Sequence, residues 1–178
     1  NDFQLLFGNY YKDLALGLGW TGNIKNAGFT LESTYFTPRK NMIYSPAVLS
    51  SSISFDYSTK KGIYINTSIL YNSLGSDKSS SSENLFGSFL SNISAKNLMP
   101  SRLTYFTQIS GNFTPALNGS LAAFYMQGEQ MLLIMPSVSY EIKENLDAMV
   151  LAQSIYNEIN KKTSPMGLGT FFRISYSF

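Results

Sequence analysis

The chain has 178 residues, enough for one domain, with a net charge of +2 and neither cysteine nor histidine. Disulfide frameworks, thiolate sites and Ser–His acid–base chemistry are therefore excluded, and so small a charge on scattered Lys and Arg argues against a nucleic-acid partner. Charged residues make up 13% of the chain and aromatics 15%, whereas a soluble surface carries about 25% charged residues. Ser, Thr, Asn and Gly supply the polarity instead.

Side chains alternate between the two faces of a strand, and ten segments show that alternation. The first sets Phe3, Leu5 and Phe7 on one face, blurred by Leu6 and Tyr10. The second is the clearest, with Leu14, Leu16, Leu18 and Trp20 opposite Ala15, Gly17, Gly19 and Thr21. Phe29, Leu31 and Tyr35 then oppose Thr30, Glu32 and Thr34 in the third. The fourth sets Leu49, Ile53, Phe55 and Tyr57 against Ser50, Ser52, Ser54 and Asp56. In the fifth, Ile63, Ile65, Ile69 and Tyr71 oppose Tyr64, Asn66, Ser68 and Asn72.

A Ser-rich stretch follows, and then the sixth segment sets Leu103, Tyr105, Ile109 and Phe113 against Thr104, Gln108, Ser110 and Asn112. Leu121, Ala123 and Tyr125 mark the seventh; Leu132, Ile134, Val138 and Tyr140 the eighth; Leu146, Ala148 and Val150 the ninth. Pro136, inside the eighth, predicts a bulge or local edge because it removes a ladder donor. The tenth segment alternates to the last residue, with Leu168, Thr170, Phe172, Ile174, Tyr176 and Phe178 on one face and Gly169, Phe171, Arg173, Ser175 and Ser177 on the other.

No run of about 18 apolar residues exists, which excludes a transmembrane helix. The charge-free stretch from Leu103 to Gly128 is broken throughout by alternating Thr, Gln, Ser and Asn, and only a closed β-barrel can cross a bilayer with such a pattern. In a membrane barrel the connections on the periplasmic side are short and the long ones lie outside. Counting back from the C-terminus, the outer connections become 157–166, 127–130, 75–100, 37–46 and 11–13. The inner ones become 143–145, 114–118, 58–62 and 22–27. The three longest all fall outside, with a long extracellular loop at about 75–100. Tyr and Trp near strand ends (Tyr10, Trp20, Tyr35, Tyr57, Tyr71, Tyr125, Tyr140, Tyr156, Tyr176) read as aromatic girdles. A soluble β-sandwich also shows short alternating strands, but this chain lacks the charge for its surface.

Gly17-Leu18-Gly19-Trp20-Thr21-Gly22 matches the dinucleotide-binding glycine pattern, which works only at a strand-to-helix turn. Here the glycines sit inside a strand, where they relieve crowding of the wall. The inward-facing polar groups Glu32, Asp56, Gln108, Glu141, Asp147 and Arg173 are the candidate lumen residues; charges there act through local potential rather than chemistry. An ion pair between Arg173 and Asp147 is the competing structural role. Leu85, Phe86, Phe89 and Leu90 form a short helical face within 76–100, a segment able to fold into the lumen or to lie on the surface. No catalytic residue, metal ligand or cofactor motif stands out, so the chain reads as a non-enzyme.

The terminal strand, with Phe172, Ile174, Tyr176 and Phe178, resembles the C-terminal signal of bacterial outer-membrane β-barrels. Gly19-Trp20-Thr21-Gly22-Asn23-Ile24-Lys25-Asn26-Ala27-Gly28, Ser94-Ala95-Lys96-Asn97-Leu98-Met99-Pro100, Asn118-Gly119-Ser120-Leu121 and Ile142-Lys143-Glu144-Asn145 add to the likeness. Together they resemble porin-like outer-membrane proteins of Bacteroidota. That resemblance implies a larger barrel of which this is the C-terminal part, outer-membrane localisation, lipid contact, and recognition of the last strand by the barrel-assembly machinery.

The expected fold is therefore all-β: an antiparallel transmembrane barrel spanning 1–178, either ten-stranded or the C-terminal ten strands of a wider one. The wider barrel is favoured by the start at Asn1-Asp2-Phe3, already within a strand and without a signal peptide. Two functions compete. One is passive diffusion of small polar solutes through the lumen. The other is a non-conducting subunit or scaffold in an outer-membrane assembly, for which the bulky inward Tyr64, Phe106, Phe124, Met131, Met135 and Phe171 speak.

Overall fold

The computed structural model describes residues 1–39, 46–77, 94–159 and 162–177. Ten strands follow one another: β1 (Asp2–Tyr10), β2 (Asp13–Ile24), β3 (Ala27–Pro38), β4 (Val48–Ser58), β5 (Ile63–Asn72), β6 (Leu103–Asn112), β7 (Leu117–Met126), β8 (Met131–Lys143), β9 (Leu146–Ile159) and β10 (Lys162–Tyr176). They form a single sheet in chain order, each strand antiparallel to the next. The fold is all-β, and the described residues contain no helix. The sheet is barrel-like but open, with β1 and β10 as its two edges.

The tight connections at 11–12, 25–26 and 144–145 each hold a residue at positive φ: Tyr11 at 54°, Lys25 at 58° and Asn145 at 67°. Two-residue hairpins call for such angles to match the right-handed strand twist. Only Asn145 is a residue type that adopts them readily.

Because every pairing is antiparallel and nearly free of shifts, the apolar sets of neighbouring strands align on one face. Phe3 faces Trp20, and Trp20 faces Leu31. That row continues through Ile53, Ile69, Tyr105, Tyr125, Leu132 and Tyr156. Among the described strand residues, Lys143 at the end of β8, opposite Leu146, and Glu158 near the end of β9 are the charges at positions of this face. The opposite face carries Gly17, Thr34, Ser50 and Asn72 in one row, and Asp56, Asn66, Gln108 and Ala122 in another.

Accessibility runs opposite to that of a water-soluble sheet. Along β2, Leu16 and Leu18 are exposed while Ala15 and Gly17 are buried; along β6, Tyr105 and Ile109 are exposed while Thr104 is buried. A flat sheet would expose both faces alike, so the sheet curls around its polar side. The buried apolar residues are few: Ala15, Phe36, Val48, Ala122, Met126 and Met131. Except for Ala122 they lie toward one end of the sheet, where the connections 39–47 and 73–102 also emerge.

Three expectations need correction, and a further two fall outside the described residues. The long outer connection at 157–166 is strand: β9 runs to Ile159 and β10 begins at Lys162, with a bulge between Pro165 and Gly167. Two long connections remain, 39–47 and 73–102. Of the two expectations for Pro136, the local edge is found and the bulge is not: Pro136 faces Leu121 on β7, and the β8–β9 ladder skips Met135 and Pro136 without changing register. The bulge of β8 lies instead between Glu141 and Lys143. Tyr10 is no girdle residue, since it faces Asp13 on the polar side and packs against Phe36. The helical face Leu85, Phe86, Phe89 and Leu90 lies outside the described residues, as does Phe178.

The glycines of β2 are crowded as expected: a Cβ on Gly17 would meet Leu6 Cβ at 3.1 Å and Thr34 Oγ1 at 3.3 Å. Gly128 is tighter still, because a Cβ there would collide with the Ser76 carbonyl, which is backbone and cannot swing aside. Gly128→Ala is expected to cost about 1–3 kcal/mol as an overpacked site, seen as a lower urea midpoint. Gly8→Ala, with nothing within 4 Å of the added methyl, should leave the midpoint unchanged. Equal midpoints for the two variants would contradict the packing described.

Candidate functional site: the polar face and its strap

The polar face gathers the predicted lumen residues in three places. Asp56, Asn66 and Gln108 share one row on β4, β5 and β6, and the Gln108 amide donates to Ser120 Oγ at 3.3 Å. Glu32 lies between Gly19 and Ser52, among neutral neighbours. Glu141 and Asp147 face each other directly across β8 and β9. Arg173 faces Met149, while Ser175 is the residue opposite Asp147.

The expected Arg173–Asp147 ion pair is therefore absent. Arg173 sits two residues out of step, at a diagonal separation of about 7–8 Å. Among the described residues the ion pairs are Lys96–Asp13 and Arg102–Asp77, both 2.7 Å long. Of the terminal-strand signal, Phe172, Ile174 and Tyr176 lie on the apolar face beside Val150, Ala148 and Leu146, all three exposed.

Sequence reasoning missed the strongest feature of this face. Residues 94–101 form a strap that returns toward β6 across the end of the sheet. Its turn is closed by Asn97 N–H donating to the Ser94 carbonyl at 2.9 Å. Lys96 Nζ reaches Asp13 Oδ2 at the start of β2 and also donates to the Pro46 carbonyl at 3.5 Å. The Ala95 N–H donates to the Tyr10 hydroxyl at 3.1 Å, and the Asn72 amide donates to the Lys96 carbonyl at 3.2 Å. One short segment thus ties together β1, β2, β5 and the stretch just before β4.

The root of the strap is equally fixed. Ser76 N–H donates to the Pro100 carbonyl, and Arg102 N–H donates to the Ser76 carbonyl. Ser101 Oγ accepts from Gly128 N–H at 2.6 Å and donates to the Leu103 carbonyl at 2.9 Å.

The side chains of Lys96 and Asp13 keep only 15% and 7% of their accessible surface. Two charges so far out of water are tolerable as a pair, whereas removing either partner strands the other. Asp13 Oδ1 has no hydrogen-bond partner, so the pair carries most of what holds that carboxylate. Lys96 and Asp13 are 83 positions apart, and no local spacing announces their meeting. The one available signal was Asp13 itself, an acid at a strand start on the face of Ala15 and Gly17.

Compared with known proteins, the chain matches no family model and no curated protein.

The facing acids and the offset arginine set opposite expectations. Asp147→Asn should raise stability by roughly 0.2–1 kcal/mol by removing directly opposed like charges. Arg173→Gln should shift it by less than about 0.5 kcal/mol, as for an ordinary surface change. Urea titration of the two variants decides; a clear loss in Arg173→Gln would restore the ion pair that the register denies.

Proposed function

We propose that this chain forms wall of a bacterial outer-membrane β-barrel, with its apolar face against lipid and its polar face lining a passage for small polar solutes. The observation that carries the reading is the reversed polarity of the sheet. Leu18 is 61% exposed on a face whose described strand positions hold charge only near strand ends, at Lys143 and Glu158, while the hydroxyl- and amide-rich face is the sheltered one. In water, each large apolar side chain left uncovered forgoes roughly 1.5–3 kcal/mol of burial. With all ten strands in one sheet, the described residues provide no second layer to cover that face. A bilayer covers it without any further protein.

Other features fit the same reading. Aromatic residues of the apolar face stack near strand ends, as Tyr105 on Tyr125 with ring centroids 6.3 Å apart and Phe3 on Trp20 at 5.7 Å. Amphipathic rings favour the headgroup level. The resemblance of the terminal strand to the outer-membrane signal adds recognition by the barrel-assembly machinery. The two open edges suit a barrel that draws on further strands, since ten strands enclose little space beyond their own side chains. The strap narrows the passage at the end where the long connections emerge. Passage is passive.

One observation favours the second reading, a non-conducting scaffold subunit. Phe106 and Phe124 face each other on the polar side with ring centroids 4.6 Å apart, near Leu133. Bulk of that kind fills a narrow lumen.

Conductance separates the two. On the polar face, among the strand residues whose side chains are described, Asp2, Glu32, Asp56, Glu141 and Asp147 stand against Arg173, and Asp13 is paired with Lys96. The intact protein in planar bilayers should give ohmic steps with a reversal potential shifted toward cations in a KCl gradient. The neutralised pair Glu141→Gln/Asp147→Asn should weaken that preference. A protein that inserts and stays silent is the scaffold.

A further inference from the structure

The strap is held across the polar face by groups that do not belong to its own connection. Its root is secured by backbone hydrogen bonds to Ser76, whereas among the described residues its tip shows no backbone ladder to the sheet. The tip depends on side chains supplied by distant strands: Asp13 from β2, the Tyr10 hydroxyl from β1 and the Asn72 amide from β5. Of these, the Lys96–Asp13 contact joins full charges, and both side chains are largely withdrawn from water.

Below the tip lies a small packed cluster of Ala15, Phe36 and Val48, with Tyr10 against it. All four belong to the polar face. The tip therefore rests on a firm floor where β1 to β4 end, rather than hanging free over the opening. A solute moving along the polar face at this end, beside β1, β2 and β5, meets the strap. The contacts that hold it include the Lys96–Asp13 ion pair, the Lys96–Pro46 contact and the hydrogen bonds with Tyr10 and Asn72.

We propose that the Lys96–Asp13 ion pair, assisted by Tyr10 and Asn72, sets the size limit for solutes by fixing the strap across the polar face. This deepens the channel reading and rests on it. Lys96 and Asp13 are positioning residues: they act on the solute through the backbone they hold, and they neutralise each other, so ion preference is set elsewhere. Releasing the tip widens the opening without altering the wall.

The test uses the intact protein with Asp13→Asn, Lys96→Gln, the exchanged pair Asp13→Lys/Lys96→Asp, and Tyr10→Phe. Two quantities are read in each. One is the largest uncharged polyethylene glycol that enters the channel and lowers its conductance. The other is the mobility of a nitroxide on Leu98→Cys, which is unique because the chain has no cysteine.

The single charge variants should raise the size limit and sharpen the nitroxide lines. The exchanged pair should return both toward wild type, and Tyr10→Phe should give a smaller shift of the same sign. Cation preference should stay constant in the exchanged pair and in Tyr10→Phe, whereas Lys96→Gln should strengthen it and Asp13→Asn weaken it, each leaving one charge uncompensated. Sharpened lines with an unchanged size limit would overturn the proposal while leaving the channel intact. Unchanged lines in both charge variants would overturn the ion pair as the fastening. Absence of conductance in the wild type, with the nitroxide still immobile, would overturn the channel reading and this proposal with it. Should one charge variant fail to fold, Tyr10→Phe and the exchanged pair decide alone.

Discussion

A strand points successive side chains to opposite faces, so the register of each pairing decides which face every residue of the next strand occupies. Nine consecutive antiparallel pairings in this sheet keep that phase. A slip of one residue anywhere would turn the rest of the sheet over, sending Asp56 or Glu141 among Leu, Ile and Tyr. The phase is held by the hydrophobic pattern itself and by tight turns such as 25–26 and 144–145. Both bulges lie near strand ends, beside Lys143 and beside Pro165, where they leave the rest of each ladder in step.

Fixed phase produces a sheet with three distinct regions. The apolar face is broad, aromatic-rich and almost free of charge. The polar face is lined by hydroxyls, amides and small residues, with its acids spread over β1, β3, β4, β8 and β9. The end carrying the long connections is different again, with Asp13, Asn72, Thr104, Glu129 and Asn157 buried beside Phe36, Val48, Met126 and Met131. Packing in the ordinary sense is concentrated there. That end is where a transport function would exercise selection, because the wall below offers mainly a wet, weakly charged surface.

The ten strands were legible in the sequence because alternation is local and survives in each segment separately. The polar assignments of Glu32, Asp56, Gln108 and Asp147 rest on the same parity. The features that were not legible depend on sequence-distant meetings or on residue chemistry that imitates a loop. Asn157, Glu158, Asn160, Lys161, Lys162 and Pro165 look like a connection, yet most of that stretch is ladder because β9 and β10 extend together beyond the apolar zone. Arg173 and Asp147 share a face, but whether they meet depends on a two-residue offset that only the register supplies. Lys96 and Asp13 were invisible as partners for the same reason, and Tyr10, read as a girdle ring, belongs to their site.

The phase of the apolar face is best tested by a nitroxide scan along β6, with single cysteines from Leu103 to Asn112 in the protein reconstituted in lipid vesicles. Collision rates with oxygen, which concentrates in lipid, are compared with those of a water-soluble nickel chelate. Oxygen accessibility should peak at Tyr105, Thr107 and Ile109, while the chelate should peak at Phe106, Gln108 and Ser110. Uniform chelate access at every position, or peaks on the opposite phase, would contradict the assignment of the apolar face to lipid.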